Sequence, residues 1–125
     1  MVKNLTHKVL LIEDSETVGA RLLDLLSTIS DIELLGQARS VKTGLEACEE
    51  TNPDIVFLDI NLPDGSGIRL LQDLKSQQPD IHVIMLTNSS DEFYRSKCAE
   101  LEAAFFLDKT KDFSRIPELV AQIIT

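Results

Sequence analysis

The sequence predicts an α/β fold in which a parallel sheet lies between two layers of helices. Short apolar runs alternate five times with longer amphipathic segments along the 125 residues, and this alternation is typical of strand–helix units. Three of the short runs are continuously apolar, as strands in the centre of a parallel sheet must be because both of their faces are buried. These runs are Val9 to Ile12, Ile55 to Leu58 and Val83 to Leu86.

The first half of the chain supplies two strand–helix pairs. Apolar residues at helical spacing follow the first strand, namely Val18, Leu22, Leu25, Leu26 and Ile29. Ile32, Leu34 and Ala38 are interleaved with polar residues, which predicts a second strand that is exposed on one side and lies at an edge of the sheet. A second helix follows, and Ser40 is its expected N-cap.

The second half supplies three further pairs. A third helix follows the apolar run that ends on Asp59, and the fourth strand ends on Thr87. Ser89 and Glu92 form a capping-box pattern that predicts the start of a fourth helix. The run Ala103 to Leu107 predicts the fifth strand. A last helix follows it, with Pro117 in the first turn, where a proline gives up no internal hydrogen bond.

Composition and charge restrict the class of protein. The apolar fraction of 43% is that of a globular domain, and the net charge of -9 argues against a nucleic-acid surface on this domain. Cys48 and Cys98 lack the spacing of a zinc site or a disulfide framework. We find no signal segment and no apolar run of membrane-spanning length. We therefore expect one domain over residues 1–125 in the cytoplasm, without membrane insertion.

The strand pattern fits a flavodoxin-like (βα)5 three-layer sandwich with strand order 2-1-3-4-5. Folds of this order bind ligands at the carboxyl ends of their strands, between strands 1 and 3. The polar residues that end the apolar strands would converge there. They are Glu13 and Asp14 after strand 1, Asp59 after strand 3, Thr87 after strand 4 and Lys109 after strand 5.

The acidic members of this set predict a metal site. Strands 1 and 3 would be neighbours, about 5 Å apart, so three carboxylates would repel one another. Mg²⁺ removes this repulsion because it prefers oxygen ligands and leaves room for phosphate oxygens. Lys109 and Thr87 add an ammonium group and a hydroxyl. The set as a whole suits a carboxylate nucleophile that attacks a phosphoryl group.

The chain resembles the receiver domain of bacterial two-component response regulators over essentially its whole length. The resemblance is carried by Glu13-Asp14, Asp59-Ile60-Asn61-Leu62-Pro63-Asp64-Gly65-Ser66-Gly67, Thr87 and Phe106-Leu107-Asp108-Lys109. It implies that Asp59 takes a phosphoryl group from a phosphohistidine on a sensor histidine kinase. It also implies that Glu13, Asp14, Asp59 and the backbone carbonyl of Asn61 bind Mg²⁺ or Mn²⁺.

The resemblance further implies how the signal leaves the site. Thr87 and Phe106 would be the switch pair, the hydroxyl moving toward the phosphoryl group and the ring turning inward behind it. The surface of helix 4, strand 5 and helix 5 would then bind a downstream protein. Candidate partner-surface residues are Phe93, Tyr94, Lys97 and Phe113. Such a domain assists its own phosphorylation and dephosphorylation without being a turnover enzyme, and is a monomer or a phosphorylation-dependent dimer.

Three residues depart from the family pattern. Glu13 stands where many receivers have aspartate, and Asn88 follows Thr87 where alanine or glycine is usual. In most receivers a proline follows the lysine, and that proline supports a cis peptide bond. Thr110 stands at this position here, which leaves the geometry of the Lys109–Thr110 bond open. None of the three departures removes a reactive group.

Several functions besides that of a stand-alone receiver stay open. The stretch from Ile32 to Ser40 resembles receivers that precede a DNA-binding domain, so the chain could be a fragment of a transcriptional regulator. It could also be a phosphorelay intermediate that passes phosphate to a histidine phosphotransfer protein. A metal-dependent phosphatase would need an acid at position 61, where the chain has Asn61. An adaptor that needs no phosphorylation is disfavoured by the presence of Lys109 and Thr87.

Overall fold

The computed structural model describes residues 6–88 and 91–125. The strands are β1 His7–Ile12, β2 Ile32–Ala38, β3 Ile55–Asp59, β4 Asn61–Leu62, β5 Gly65–Ser66, β6 His82–Thr87 and β7 Phe105–Asp108. The helices are α1 Glu16–Leu26, α2 Val41–Thr51, α3 Gly67–Gln77, α4 Glu92–Glu100 and α5 Ile116–Ile124, with a 3-10 turn at Phe113–Arg115.

Five parallel strands form the main sheet in the order β2-β1-β3-β6-β7. Within residues 6–88 and 91–125, the short strands β4 and β5 pair only with each other, in an antiparallel hairpin between β3 and α3. Apart from this hairpin, the order is the predicted 2-1-3-4-5, and the flavodoxin-like fold is confirmed. The predicted edge position of the second strand is confirmed as well.

The core consists of two layers, one on each face of the sheet. Alternate residues of a strand enter different layers, as in β3, where Ile55 and Phe57 pack toward α1 and α5. Val56 and Leu58 pack toward α2, α3 and α4. Because every central strand is buried on both faces, its polar residues can lie only at its ends, and this is what gathers them at one edge of the sheet.

Strand β2 contains a bulge that the sequence pattern does not reveal. Val9 of β1 pairs with Leu34, but the next residue, Leu10, pairs with Gly36, so that Leu35 is an extra residue. Gly36 has a φ of +118°, a conformation that favours glycine. Ile32 and Leu34 consequently pack on the α1–α5 side, whereas Leu35 and Ala38 pack on the opposite side. The expectation that Ala38 shares a face with Ile32 and Leu34 is therefore wrong.

The helix starts follow local capping. The Ser40 hydroxyl accepts a hydrogen bond from the Thr43 amide, which confirms Ser40 as the N-cap of α2. Pro117 lies in the first turn of α5, as predicted. The capping box at Ser89 falls outside the described residues. Helix α4 instead begins at Glu92 after Asp91, whose carboxylate accepts from the Phe93 amide at 2.8 Å.

The helices are short. The longest ones, α1, α2 and α3, have 11 residues each, which corresponds to about 16 Å at the rise of an α-helix. A bilayer core is about 30 Å thick. In residues 6–88 and 91–125, no helix is long and apolar enough to cross a membrane.

Candidate functional site

Five polar residues are buried at the carboxyl edge of the sheet, and four of them are residues that the sequence predicts for the site. Glu13 follows β1, Asp59 ends β3, Thr87 ends β6 and Lys109 follows β7. The exposed fraction of each residue lies between 1% and 6%. Buried charges are costly unless they are paired, so this edge holds a site and not a solvated surface.

Lys109 joins two of the predicted carboxylates. Its Nζ donates a hydrogen bond to Asp59 Oδ2 at 2.9 Å and forms an ion pair with Glu13 Oε1 at 2.8 Å. The lysine thus spans β6, the strand that separates β7 from β3. The result is a buried triad with two carboxylates and one ammonium group, so that one negative charge remains uncompensated.

The pKa values of the triad reflect this imbalance. Burial raises the pKa of Asp59, and the hydrogen bond from Lys109 does not fully offset that effect or the added repulsion from Glu13. Burial alone would lower the pKa of Lys109, but its hydrogen bonds and charge interactions with Glu13 and Asp59 raise it. Lys109 therefore stays charged, while Asp59 would gain from a second nearby cation.

The backbone around Asp59 is held by the loop that follows it. Asp59 Oδ1 accepts from the Asn61 amide at 3.2 Å, and the Gly67 amide donates to the Ile60 carbonyl at 2.7 Å. A Cβ on Gly67 would lie 1.9 Å from the Asp59 carbonyl oxygen. Gly67 is therefore required by this close approach of backbone to backbone.

Asp64 ties the β4–β5 hairpin to helix α2. Its two carboxylate oxygens accept from the amides of Val41 at 2.7 Å and Lys42 at 3.1 Å, at the N-terminus of α2. The bond from Val41, followed by that from Lys42, lowers the pKa of Asp64. Asp64 belongs to the sequence motif that follows Asp59, and nothing in that motif indicates this contact. Its capping of a helix that starts 23 residues earlier in the chain left no local signal.

The loop that carries the acidic pair lies between β1 and α1. Glu13 Oε2 accepts from the Ser15 amide at 2.9 Å, and Ser15 in turn caps α1. Asp14 is exposed beside the buried triad. Among the described residues, no three acidic, histidine or cysteine side chains form a preassembled metal-binding group. The predicted metal ligands thus lie at one edge, with Lys109 between two of them.

Hydrogen bonds from the end of β2 and from the residue after it hold this loop, and no sequence pattern indicates them. Gln37 Nε2 donates to the carbonyl oxygens of Glu13 at 2.5 Å and Ser15 at 3.1 Å. Arg39 donates from Nε and Nη2 to the Asp14 carbonyl at 3.1 and 2.9 Å. Both residues come from a distant part of the chain, so no local motif connects them with the acidic pair.

The turn after β7 places Lys109 without a proline. Asp108 Oδ1 accepts from the amides of Thr110 at 2.7 Å and Lys111 at 3.1 Å, and Asp112 Oδ2 accepts from the Asp108 amide at 2.8 Å. The Lys109–Thr110 peptide is trans, as are all other described peptide bonds. A proline at position 110 could not donate the first of these bonds. Asp108 is a further site residue, and the sequence pattern did not identify it as one.

Thr87 and Phe106 lie on neighbouring strands. Thr87 is buried, and its carbonyl accepts from the Lys109 amide at 2.8 Å. Phe106 is half-buried and packs in the core layer that faces α4, and the guanidinium of Arg95 lies 4.8 Å from its ring centre. Asn88, which follows Thr87, is exposed. Thr87 thus lies beside the buried triad and Phe106 beside α4, and their role as a switch pair stays a prediction.

The four candidate partner-surface residues do not share one environment. Phe93 is 71% exposed, Lys97 is exposed, and Tyr94 is half-buried with its ring 5.7 Å from that of Phe93. Phe113, however, is only 3% exposed and packs between α1 and α5, with Arg21 4.7 Å from its ring centre. The expectation that Phe113 lies at the surface is wrong, because the 3-10 turn before α5 directs it into the core.

Comparison with known proteins places the chain in one family. Residues 9–121 match the model of the response regulator receiver domain. The DNA-binding transcriptional activator DevR/DosR of Mycobacterium tuberculosis is 41% identical over 86 residues, which are 68% of this chain and 40% of that protein. The response regulator protein VraR of Staphylococcus saprophyticus is 32% identical over 115 residues, which are 90% of this chain and 54% of that protein.

The chain thus spans about half the length of the curated relatives it matches. Among solved structures, the Mn²⁺-bound form of response regulator Rcp1 is 26% identical, with a TM-score of 0.77 over 94% of this chain and 91% of that one. Sequence, fold and the arrangement of polar residues at the sheet edge agree. The chain belongs to the response regulator receiver domain family of two-component signalling proteins.

Proposed function

We propose that Asp59 accepts a phosphoryl group from a phosphohistidine of a sensor histidine kinase. The observation that carries this proposal is the buried contact between Lys109 Nζ and Asp59 Oδ2 at 2.9 Å. Asp59 lies at the end of a central strand, where a ligand can approach from the edge of the sheet. Its carboxylate is the nucleophile, and the ammonium group beside it is fixed before the phosphoryl group arrives.

The transfer requires one bond to form and one to break. A carboxylate oxygen of Asp59 attacks the phosphorus, and the bond between phosphorus and the histidine nitrogen breaks, with the electron pair returning to the imidazole. Lys109 compensates negative charge on the phosphoryl oxygens, and the Thr87 hydroxyl donates a hydrogen bond to one of them. Positioning and charge compensation are the main contributions that the chain makes to such a step.

The residues at this edge fit a divalent metal, Mg²⁺ or Mn²⁺. Carboxylates of Glu13, Asp14 and Asp59 and the carbonyl of Asn61 would supply the hard oxygen ligands that such ions prefer. The raised pKa of Asp59 supports this assignment, because two buried carboxylates share a single lysine. When bound, the metal would neutralise charge on the attacking carboxylate and the phosphoryl oxygens. The Mn²⁺-bound Rcp1 structure supports the same assignment.

We further propose that the output is a change in protein binding at α4, β7 and α5. Movement of the Thr87 hydroxyl toward the phosphoryl group would make room for the Phe106 ring to turn inward, away from Arg95. The exposed Phe93 and Lys97 and the half-buried Tyr94 belong to the surface that would respond. The domain would act as a monomer or as a phosphorylation-dependent dimer in the cytoplasm.

A second candidate is the receiver of a DNA-binding regulator. It is favoured by DevR/DosR, a DNA-binding activator of which this chain matches 40%. Phosphorylation would then control a DNA-binding segment of a longer protein instead of a separate partner. The reading frame beyond Thr125 in the genome distinguishes the two candidates.

The test of the proposed function is labelling with a small phosphodonor. The native chain, with Mg²⁺ and acetyl phosphate, should form an acid-labile adduct one phosphoryl group heavier, detected by mass spectrometry. Asp59→Asn should form none, because the amide is no nucleophile, whereas the exposed Asp80→Asn should label like the native chain. Absence of an adduct on the native chain, or equal labelling of Asp59→Asn, would refute the proposal.

The same adduct separates a signalling receiver from a phosphorelay intermediate and from a phosphatase. Transfer of phosphate from Asp59 to a histidine phosphotransfer protein would identify a phosphorelay intermediate. Sustained hydrolysis of phosphomonoesters would identify a phosphatase. We expect no such turnover, because Asn61 occupies the position where that class needs an acid.

A further inference from the structure

The loop that carries Glu13 and Asp14 is held from one side by strand β2. Gln37 Nε2 donates to the carbonyls of Glu13 and Ser15, at 2.5 and 3.1 Å. Arg39 donates with both Nε and Nη2 to the carbonyl of Asp14. Three consecutive carbonyls of the β1–α1 loop therefore accept from two side chains, that of Gln37 on β2 and that of Arg39 just after β2.

Helix α1 provides the space that Gln37 needs. Gly19 is buried in α1, and a Cβ on it would lie 2.0 Å from Gln37 Oε1 and 2.7 Å from Nε2. Any larger residue at position 19 would push the amide away from the loop. Glycine in a helix interior is less favourable than alanine by about 1 kcal/mol. The contact with Gln37 explains why α1 has a glycine at position 19 despite this cost.

The bulge in β2 determines that Gln37 faces this loop. Strand residues alternate between faces, and because Leu35 is an extra residue, the residues after it lie on the faces opposite to those that an uninterrupted alternation would give. Ala38 consequently faces the α2 side, and Gln37 faces α1. Without the bulge, residues 36 and 38 would face the α1 side, and neither glycine nor alanine carries a side-chain donor.

We propose that Gln37 and Arg39 are positioning residues that preset the acidic pair for a divalent metal. The inference rests on the proposed function, since the metal is the ion that Asp59 chemistry needs. By fixing the three carbonyls, the two side chains fix the backbone from which the Glu13 and Asp14 carboxylates project. Groups that orient metal ligands in this way commonly affect metal affinity by about 10- to 100-fold.

The first test compares metal affinity in Gln37→Met and in a matched control, Gln72→Met. Methionine keeps an unbranched side chain of similar length but cannot donate, and Gln72 is exposed on α3, away from the loop. Mn²⁺ binding to the full chain is measured by electron paramagnetic resonance from the loss of the free-ion signal. We expect about tenfold weaker binding in Gln37→Met and native binding in Gln72→Met.

The second test separates positioning from damage to the fold. The rate of labelling by acetyl phosphate is measured against Mg²⁺ concentration. In Gln37→Met the half-saturating Mg²⁺ concentration should rise by about the same tenfold factor, while the rate at saturating Mg²⁺ stays close to native. A general structural defect would lower the saturating rate instead.

Two further variants disrupt the same set of hydrogen bonds through substitutions at other positions. Gly19→Ala displaces the Gln37 amide without changing Gln37, and Arg39→Lys keeps the charge but loses the two-pronged contact with Asp14. Both should weaken Mn²⁺ binding. They replace Gln37→Met in the test if that variant does not fold. If the native chain binds Mn²⁺ and labels, but these variants bind equally well, the positioning role is refuted and the proposed function stands. If the native chain neither binds nor labels, both are refuted.

Discussion

Lys109 stabilises two buried carboxylates at once. Its Nζ lies 2.8 Å from Glu13 and 2.9 Å from Asp59, so neither acid has a full counter-charge of its own. The remaining negative charge opposes ionisation of Asp59, which must be ionised to act as the proposed nucleophile. Removing one partner of such a buried set commonly costs about 3–5 kcal/mol, because another charge is then left unpaired.

This imbalance predicts how stability depends on pH. Burial raises the folded-state pKa of Asp59 above its ordinary value of 3.8. The folded protein therefore binds the carboxyl proton more tightly than the unfolded chain does. That stabilising contribution is present below pH 3.8 and is lost as pH rises through the folded-state pKa. In Asp59→Asn the contribution is absent at every pH.

Urea unfolding without divalent metal measures the effect. The free energy of unfolding of Asp59→Asn, relative to the native chain, should rise as pH increases from about 4 toward neutrality. The exposed Asp80→Asn is the matched control and should show no comparable trend. A relative stability of Asp59→Asn that fell with rising pH would contradict the raised pKa.

Among the individual residues, the sequence could predict those that end strands. Asp59, Thr87 and Lys109 follow continuous apolar runs, and parallel strands bring such ends together. Gln37 and Asp108 could not be predicted, because their roles depend on hydrogen bonds to backbone groups of a loop. The burial of Phe113 could not be predicted either, because an aromatic residue after a strand looks the same in sequence whether it points outward or into the core.

At the scale of elements, the start of α3 is built against the end of β3. Gly67 is the first residue of α3, and its Cα lies so close to β3 that a Cβ would come within 1.9 Å of the Asp59 carbonyl oxygen. Gly44 in α2 is also tightly packed, but a Cβ there would meet side-chain methyl groups of Ile12 at 2.9 Å. A side chain can move aside more easily than a strand backbone.

Gly67→Ala should therefore destabilise the fold more than Gly44→Ala. Overpacking against a rigid backbone costs about 1–3 kcal/mol. At Gly44 the gain of about 1 kcal/mol in helix propensity offsets part of the strain. Urea unfolding of both variants tests this order, and a larger loss of stability in Gly44→Ala would contradict it. Labelling at Asp59 should also slow in Gly67→Ala, since α3 has to move away from the site.

The elements were predictable to different degrees. The strands of the sheet and Ser40 as a cap followed from local residue types, because burial on two faces and capping both leave local patterns. The start of α4 was not predictable in the same way, since Asp91 is as good an N-cap as a serine two residues earlier. The bulge at Leu35 depends on pairing with β1, which no local pattern reports.

At the scale of the whole molecule, α4 is the helix least anchored in the core. Cys98 is its only buried residue, whereas α3 buries four. Helices with few buried apolar contacts respond most readily to a change at a nearby site. Helix α4 lies against Phe106 through Arg95, so an inward turn of that ring would change its surroundings first.

The chain carries its own optical reporter of this change. Tyr94 is the only tyrosine, and the sequence contains no tryptophan. Addition of Mg²⁺ and beryllofluoride, which mimics a phosphoryl group, should alter the intrinsic fluorescence of Tyr94 in the native chain. The change should be absent in Asp59→Asn. Thr87→Val should still form the adduct but show a smaller change, because it lacks the hydroxyl that we propose moves toward the phosphoryl group.

Fluorescence titrations and mass spectrometry on the same samples check this prediction. Exposed Thr28→Val is a matched control for the loss of a hydroxyl, and it should respond like the native chain. A full fluorescence change in Asp59→Asn would show that beryllofluoride acts elsewhere. A full change in Thr87→Val would show that the signal reaches α4 without Thr87.

The bulge in β2 also makes chain length itself a determinant of the site. A substitution at position 35 alters one side chain, but insertion of one more residue between positions 36 and 37 would shift Gln37 from Leu11 to Ile12 of β1 and exchange the two faces of the strand beyond it. Gln37 and Arg39 would then turn away from the β1–α1 loop although neither residue had changed. Relatives that differ by one residue in this strand can therefore keep every site residue and still hold the loop differently.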